Sequence, residues 1–346
     1  MPADGAQYHV TYPIHYHDSL LSNQTYLPNG FGDGLMKMTT KQAGTLDKGF
    51  QLSADNALLG LQLTGIQTLS RIVVTNILNN NTYTLNCNNL TLKDKEPTLF
   101  YIVVPAQKWT MGMRVEVFDQ KGFIVLIKEK NGEVDFSSNM AMIMSVLNIE
   151  KRDNLTGSFS VSAQQKVRFS PGNLQYIQTS NKWQFAENQY EYIGYDNIVN
   201  GVLADTIDWF GWSTDEGTKP WGLSSSTNNR DYKGNFVDWG KNAIENDAPN
   251  RWRTLSKAEW EFLLNGRPSA QNLRCRVQIE TIKGLLFLPD DWKWPTRFSF
   301  VQNEEEAYVI TMDEWRALEY AGAVFLPASG RREGNKAMNV NDHGNY

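Results

Sequence analysis

Met113-Arg114-Val115-Glu116-Val117-Phe118-Asp119-Gln120-Lys121-Gly122-Phe123-Ile124-Val125-Leu126-Ile127 reads as a β-hairpin. Polar and apolar residues alternate across Arg114 to Val117, the period of two that a strand with one wet face requires. Asp119-Gln120-Lys121-Gly122 has the composition of a connection, and Phe123 to Ile127 is apolar enough to lie centrally in a sheet. The same grammar extends outward, through Leu58 to Leu63, Ile72 to Thr75, Thr82 to Leu85, Leu99 to Val104 and Met140 to Glu150, with Gly, Asn and Pro between the runs. Runs of this kind, with no strongly amphipathic helix among them, predict an all-β antiparallel sandwich, because each sheet has one face to bury and the facing sheet buries it. The first fifty residues, rich in Tyr, His, Asn and Gly, predict an irregular arm or partial strands.

Beyond this region the composition changes. Of the 11 tryptophans only Trp109 precedes residue 154, so two different cores are implied. Glu150 to Ser158 is polar and contains turn formers, as an exposed joint would. The boundary is set at Asp153, giving domains 1–153 and 154–346. In the second, Leu255-Ser256-Lys257-Ala258-Glu259-Trp260 predicts a helix start: Ser256 caps, Glu259 closes a capping box, and Leu255 staples Trp260. Ile310-Thr311-Met312-Asp313-Glu314-Trp315 repeats each element. Gly266 and Gly322 mark the stops. Strands and long Trp/Asn/Gly-rich loops fill the remainder, so this domain is predicted to be α+β.

Lys+Arg 33 against Asp+Glu 38 leaves a net charge of -5, which argues against nucleic acid as a partner, since neutralising phosphates needs a basic face. The longest apolar stretches, Leu99 to Ala106 and Met140 to Leu147, fall short of the roughly 18 residues that span a bilayer. No transmembrane segment is predicted. Met1 to Val10 has neither the basic nor the apolar region of a secretion signal, so no signal peptide is read in this chain. Cys87 and Cys275 lie far apart with no metal-ligand spacing.

Several separated stretches of the second domain, in order, carry a resemblance: Gly157 to Ser162, Val167-Arg168-Phe169-Ser170-Pro171-Gly172-Asn173-Leu174-Gln175-Tyr176, Trp183 to Tyr190, Trp252-Arg253-Thr254-Leu255 with Glu259-Trp260, and Ala321 to Ala328. Over about residues 157 to 346 they resemble a C-type-lectin-like module. Its branch is related in fold to formylglycine-generating, sulfatase-modifying proteins and recurs in surface proteins of anaerobic Gram-negative bacteria. Leu58 to Leu63, Phe100 to Ala106 and Ser145 to Glu150 resemble, less specifically, the sandwich strands of fimbrillin-type pilus subunits. The resemblance implies a cell-surface or extracellular adhesin of a fimbrium, at its tip or as an accessory subunit. Such a protein would join other pilus subunits by strand complementation and bind a glycan or protein ligand through the C-terminal module. The alternatives are a sulfatase-modifying-type enzyme and an accessory glycan-binding surface protein.

The residues themselves favour binding over catalysis. Sulfatase-modifying chemistry needs paired thiolates, whereas this module has Cys275 alone, which alternation places inward with Leu273 and Val277. No catalytic residue, cofactor or metal is therefore expected. The calcium-binding Glu-Pro-Asn and Trp-Asn-Asp patterns of true C-type lectins do not occur. The acidic run Asn303-Glu304-Glu305-Glu306 is read as solvated surface, and His9, His15 and His17 as an unligated cluster. Trp260 and Trp315 are assigned to the core. Ligand contact is assigned to Asp290, Asp291, Trp292, Trp294 and Arg297, where an exposed ring beside charged groups suits stacking on sugar or peptide.

Overall fold

The computed structural model describes residues 7–149, 157–210, 237–294 and 307–342, apart from 14, 17–18, 29, 33–34, 46–47 and 334–335. The chain is mostly β and divides into two compact units, Met1–Arg152 and Asp153–Tyr346.

In the first unit, strands β1 (Asn23–Thr25), β2 (Asn56–Gly65), β3 (Thr68–Asn76), β4 (Thr82–Thr91), β5 (Thr98–Pro105), β6 (Gly112–Asp119), β7 (Ile124–Asn131), β8 (Ala141–Ile143) and β9 (Leu147–Ile149) form two sheets. One has the order β7-β6-β3-β4-β1; in the other, β2 is flanked by β5 on one side and by β8 and β9 on the other. Alternate residues of both sheets meet in one core: Leu59, Leu61 and Leu63 of β2 with Phe100 and Ile102 of β5, and Ile72, Val115 and Val117 of the other sheet. Trp109 and Phe136 close it with an edge-on ring contact at 4.8 Å. Gln24 joins β1 to β5 as backbone would: its buried side-chain amide donates to the Val103 carbonyl at 2.7 Å and accepts from the Val103 N–H at 2.9 Å. Thr11–Tyr12, Met38–Thr40 and Leu52–Ala54 form a small sheet of their own.

Three details differ from the sequence reading. The alternation in β6 does not mark a wet face: Arg114 and Glu116 are only 3% and 4% exposed. The charges are paired in place, since Arg114 lies 3.4 Å from Glu116 and 3.6 Å from Glu129. Strand β7 is an edge strand rather than a central one; Ile124 and Val125 are buried, but Lys128 and Lys130 are exposed, and lysines on an edge discourage further pairing. Pairing is also not purely antiparallel, because β1 runs parallel to β4, and β8 and β9 run parallel to β2. These partners are far apart in sequence, so no hairpin dictates their direction. Gly65 has φ +141°, and a Cβ there would lie 2.5 Å from the Ile149 carbonyl oxygen, so the approach of β9 requires glycine.

In the second unit, β10 (Leu174–Ile177), β11 (Lys182–Phe185) and β12 (Thr206–Ile207) form one sheet. β13 (Arg274–Ile279), β14 (Ile282–Phe287), β15 (Tyr308–Ile310) and β16 (Val324–Pro327) form another in the order β15-β13-β14-β16. Helices α1 (Lys257–Glu261) and α2 (Met312–Tyr320) both begin with the capping boxes expected from sequence. Ser256 Oγ accepts from the Glu259 N–H while Glu259 accepts from the Ser256 N–H, and Thr311 and Glu314 do the same. Helix α1 passes into a single π turn, Phe262–Gly266. Trp315 is fully buried among Val277, Ile279, Leu318 and Phe325. The other face of α2 is polar yet buried: Arg316 pairs with Glu319 at 2.8 Å and donates to Asn188 at 2.6 Å. Gln189 donates to Glu319 and accepts from the Phe325 N–H, locking the 188–189 segment onto helix and sheet. Among the described residues no helix is long and apolar enough to cross a membrane.

Candidate functional site: an aromatic cleft in the C-terminal unit

A cleft of about 690 Å³ opens between the segment of residues 167–174, the segments of residues 238–244 and 250–255, and α1. Its volume falls within the ~300–1,000 Å³ typical of ligand sites. Phe169, Phe185, Trp239, Trp252 and Trp260 line it, together with Arg168, Arg251, Arg253 and Asp238.

Each wall is held from behind. Phe169 meets Phe159 edge-on at 5.1 Å and Trp260 at 6.0 Å, and Phe159 is fully buried with Leu263 and Phe287. Trp260, assigned to the core from sequence, is thus only half-buried; α1 is too short to bury a full face, and the ring forms wall as well as packing. On the opposite side Phe185 meets Trp252 edge-on at 5.0 Å, and the Trp252 indole N–H donates to Asp247 at 2.7 Å. Asp238 binds the two middle segments together by accepting from the N–H groups of Gly240 at 2.9 Å and Thr254 at 3.0 Å. Gly240 lies so close to the Trp252 carbonyl that a Cβ would collide with it.

The charges divide into engaged and open groups. Arg253 donates twice to Glu259, at 2.6 and 2.9 Å, and this bidentate pair, with the capping N–H of Ser256, holds the Glu259 carboxyl down at about 2 despite partial burial. Arg168 and Arg251 are exposed, and among the described residues neither guanidinium has a hydrogen bond or ion pair. The result is a set of aromatic faces flanked by two open cations, which can stack on flat apolar surfaces and bind anions through planar, two-pronged hydrogen bonding.

The residues assigned to ligand contact from sequence lie elsewhere, and none of the four described ones lines this cleft. Asp290 is engaged by the protein itself. Its carboxylate accepts from Ser160 N–H at 3.2 Å, Ser160 Oγ at 2.6 Å, Lys166 Nζ at 3.0 Å and Arg267 Nη1 at 3.3 Å. Burial would raise its pKa, but the hydrogen bonds from Ser160 and Lys166 outweigh that and lower it. Asp291 is exposed. Trp292 is half-buried against the sheet core, and Trp294, 37% exposed, meets it edge-on at 5.3 Å. Arg297, the acidic run 303–306, His17 and the joint at residues 150–156 lie outside the described residues.

Cys275 and Cys87 are buried free thiols, and burial pushes both up to about 12. Among the described residues no three His, Cys, Asp or Glu side chains come together in a way that could hold a metal ion. The signal that sequence reading passed over is Arg251-Trp252-Arg253, an aromatic between two cations in a loop. No protein-family model matches the chain, and no curated protein matches it.

Proposed function

We propose that this protein is a cell-surface adhesin of a fimbrial or related assembly, in which a pilin-like sandwich carries a C-type-lectin-like module that binds an extracellular glycan or protein. The observation that carries the binding role is the cleft of the second unit, where rings held from behind by core residues border a groove with two open arginines. A sulfatase-modifying enzyme would need accessible, acidified thiols; the burial of Cys275, with its pKa raised to about 12, favours binding over that chemistry. On this reading the first unit joins neighbouring subunits by strand complementation, and the tip or an accessory position suits a subunit that carries a ligand module.

The test is a glycan and host-surface array probed with the whole chain and with Trp252→Ala and Trp294→Ala. Loss of binding with Trp252→Ala alone assigns the ligand to the cleft, whereas loss with Trp294→Ala alone assigns it to the 290–294 segment. An array that captures nothing overturns the adhesin reading.

A further inference from the structure

We propose that the cleft is specific for acidic glycans, polysaccharides whose sugars carry carboxylate or sulfate groups. The inference rests on the cleft being the ligand surface. It follows from how the charges are spent. Of the charged groups on the walls, Asp238 is held by Gly240 and Thr254, and Arg253 by Glu259. What remains open is cationic: Arg168 and Arg251, exposed and, among the described residues, without a partner. In a chain whose net charge is -5, attraction for anions at this groove rests on these two local cations. A guanidinium matches a carboxylate or sulfate in two-pronged geometry.

The rest of the lining favours sugar over acidic peptide. A peptide is held largely through its main chain, which needs open backbone donors and acceptors at an edge. Here several wall N–H groups are already bonded within the protein, Gly240 and Thr254 to Asp238, Phe185 to Glu245, and Asn250 to the Gly240 carbonyl, which leaves fewer main-chain donors for a peptide. Flat rings such as Trp252 suit the apolar face of a sugar ring, which needs no backbone pairing.

The experiment measures binding of the full chain to immobilised polygalacturonate (carboxylate), chondroitin sulfate (sulfate with carboxylate), dextran (neutral) and polyglutamate (acidic peptide), at low and high salt. Acidic glycans should bind, more weakly at high salt. Arg168→Ala and Arg251→Ala should each weaken binding roughly tenfold, as loss of a charged hydrogen bond does, with partial recovery in the corresponding lysine variants and no change in melting temperature. Preference between the first two probes identifies the anion. Equal binding to dextran, or alanine variants that bind acidic glycans normally, overturns the acidic specificity and leaves the adhesin reading intact. Polyglutamate binding with the same arginine dependence overturns the glycan assignment. If none of the probes binds and the array also captures nothing, the failure belongs to the adhesin reading itself.

Discussion

The guanidinium of Arg267 has no exposure at all and sits 3.3 Å from the carboxylate of Asp290. Arg267 also donates to the carbonyls of Leu263, Leu273 and Leu288, so it fastens the end of α1 to the start of β13 and the end of β14. Among the described residues Asp290 is the one carboxylate at this buried cation, and Ser160 and Lys166 tie it in turn to the antiparallel pair Phe159–Ser160 and Lys166–Val167.

Asp290→Ala should therefore act on stability before any ligand, costing about 3 kcal/mol because it leaves a buried charge without its partner. Urea unfolding measures this. Since the folded Asp290 has a lowered pKa, its contribution is present above the ordinary carboxylate range and fades as pH falls through the lower folded value. A loss below about 0.5 kcal/mol would show that the three backbone carbonyls suffice for Arg267.

Glu259 gives a second acid-sensitive element. Its pKa falls from 4.5 to about 2 on folding, so the stabilisation it supplies is complete above pH 4.5 and is lost as pH drops toward 2. Glu259→Gln should lower stability by about 1 kcal/mol at neutral pH, the scale of a helix cap. Thermal unfolding across pH should show the two proteins converging near pH 2, and a gap that persists there contradicts the assignment.

With both thiols raised to about 12 by burial, the native protein should resist aromatic disulfide reagents at mildly alkaline pH, and both cysteines should react after unfolding in guanidinium. Cys275→Ser should cost about 1 kcal/mol for a hydroxyl in an apolar site. Rapid modification of one thiol in the native state would place that cysteine in reach of solvent.

Trp292 and Trp294 should separate on mutation although they touch. Trp294→Ala removes an exposed ring and should shift stability by less than about 0.5 kcal/mol. Trp292→Ala removes packing from the sheet core and should cost about 2 kcal/mol, short of the 3–5 kcal/mol of a fully buried Trp. Calorimetry of the two variants decides it, and equal effects would refute the distinction.

Fragments 1–152 and 153–346, expressed separately, should each unfold cooperatively, since the described cores are contained within one unit or the other. A fragment lacking a cooperative transition would mean that it depends on the other for stability.

What could be read from sequence was the information that is local. The strand runs from Leu58 to Ile127 and both capping boxes depend on residues within a few positions of one another, and they appear where periodicity and spacing put them. Arg114 and Glu116 misled because alternation reports side-chain polarity, while burial is decided by which strands flank β6. The partners of Asp290 were out of reach for a different reason: Ser160 lies 130 residues away. The cleft is hidden in the same manner. Its walls come from four separated stretches, and nothing within Val167 to Leu174 announces that Trp252 and Trp260 will line the same cleft.

The parallel pairing of β9 with β2 sets how the first unit would bear tension. Leu147, Asn148 and Ile149 lie beside Leu63, Thr64 and Gly65, and the chain continues from Ile149 into the C-terminal unit. A pull on that unit, resisted from the N-terminal side of β2, draws the two strands lengthwise past each other. Their hydrogen bonds, with the Thr64–Asn148 side-chain bond at 3.1 Å, are then strained together instead of opening one after another from an end. The connection is suited to resist shear, the mechanical demand that the proposed adhesin role would place on it.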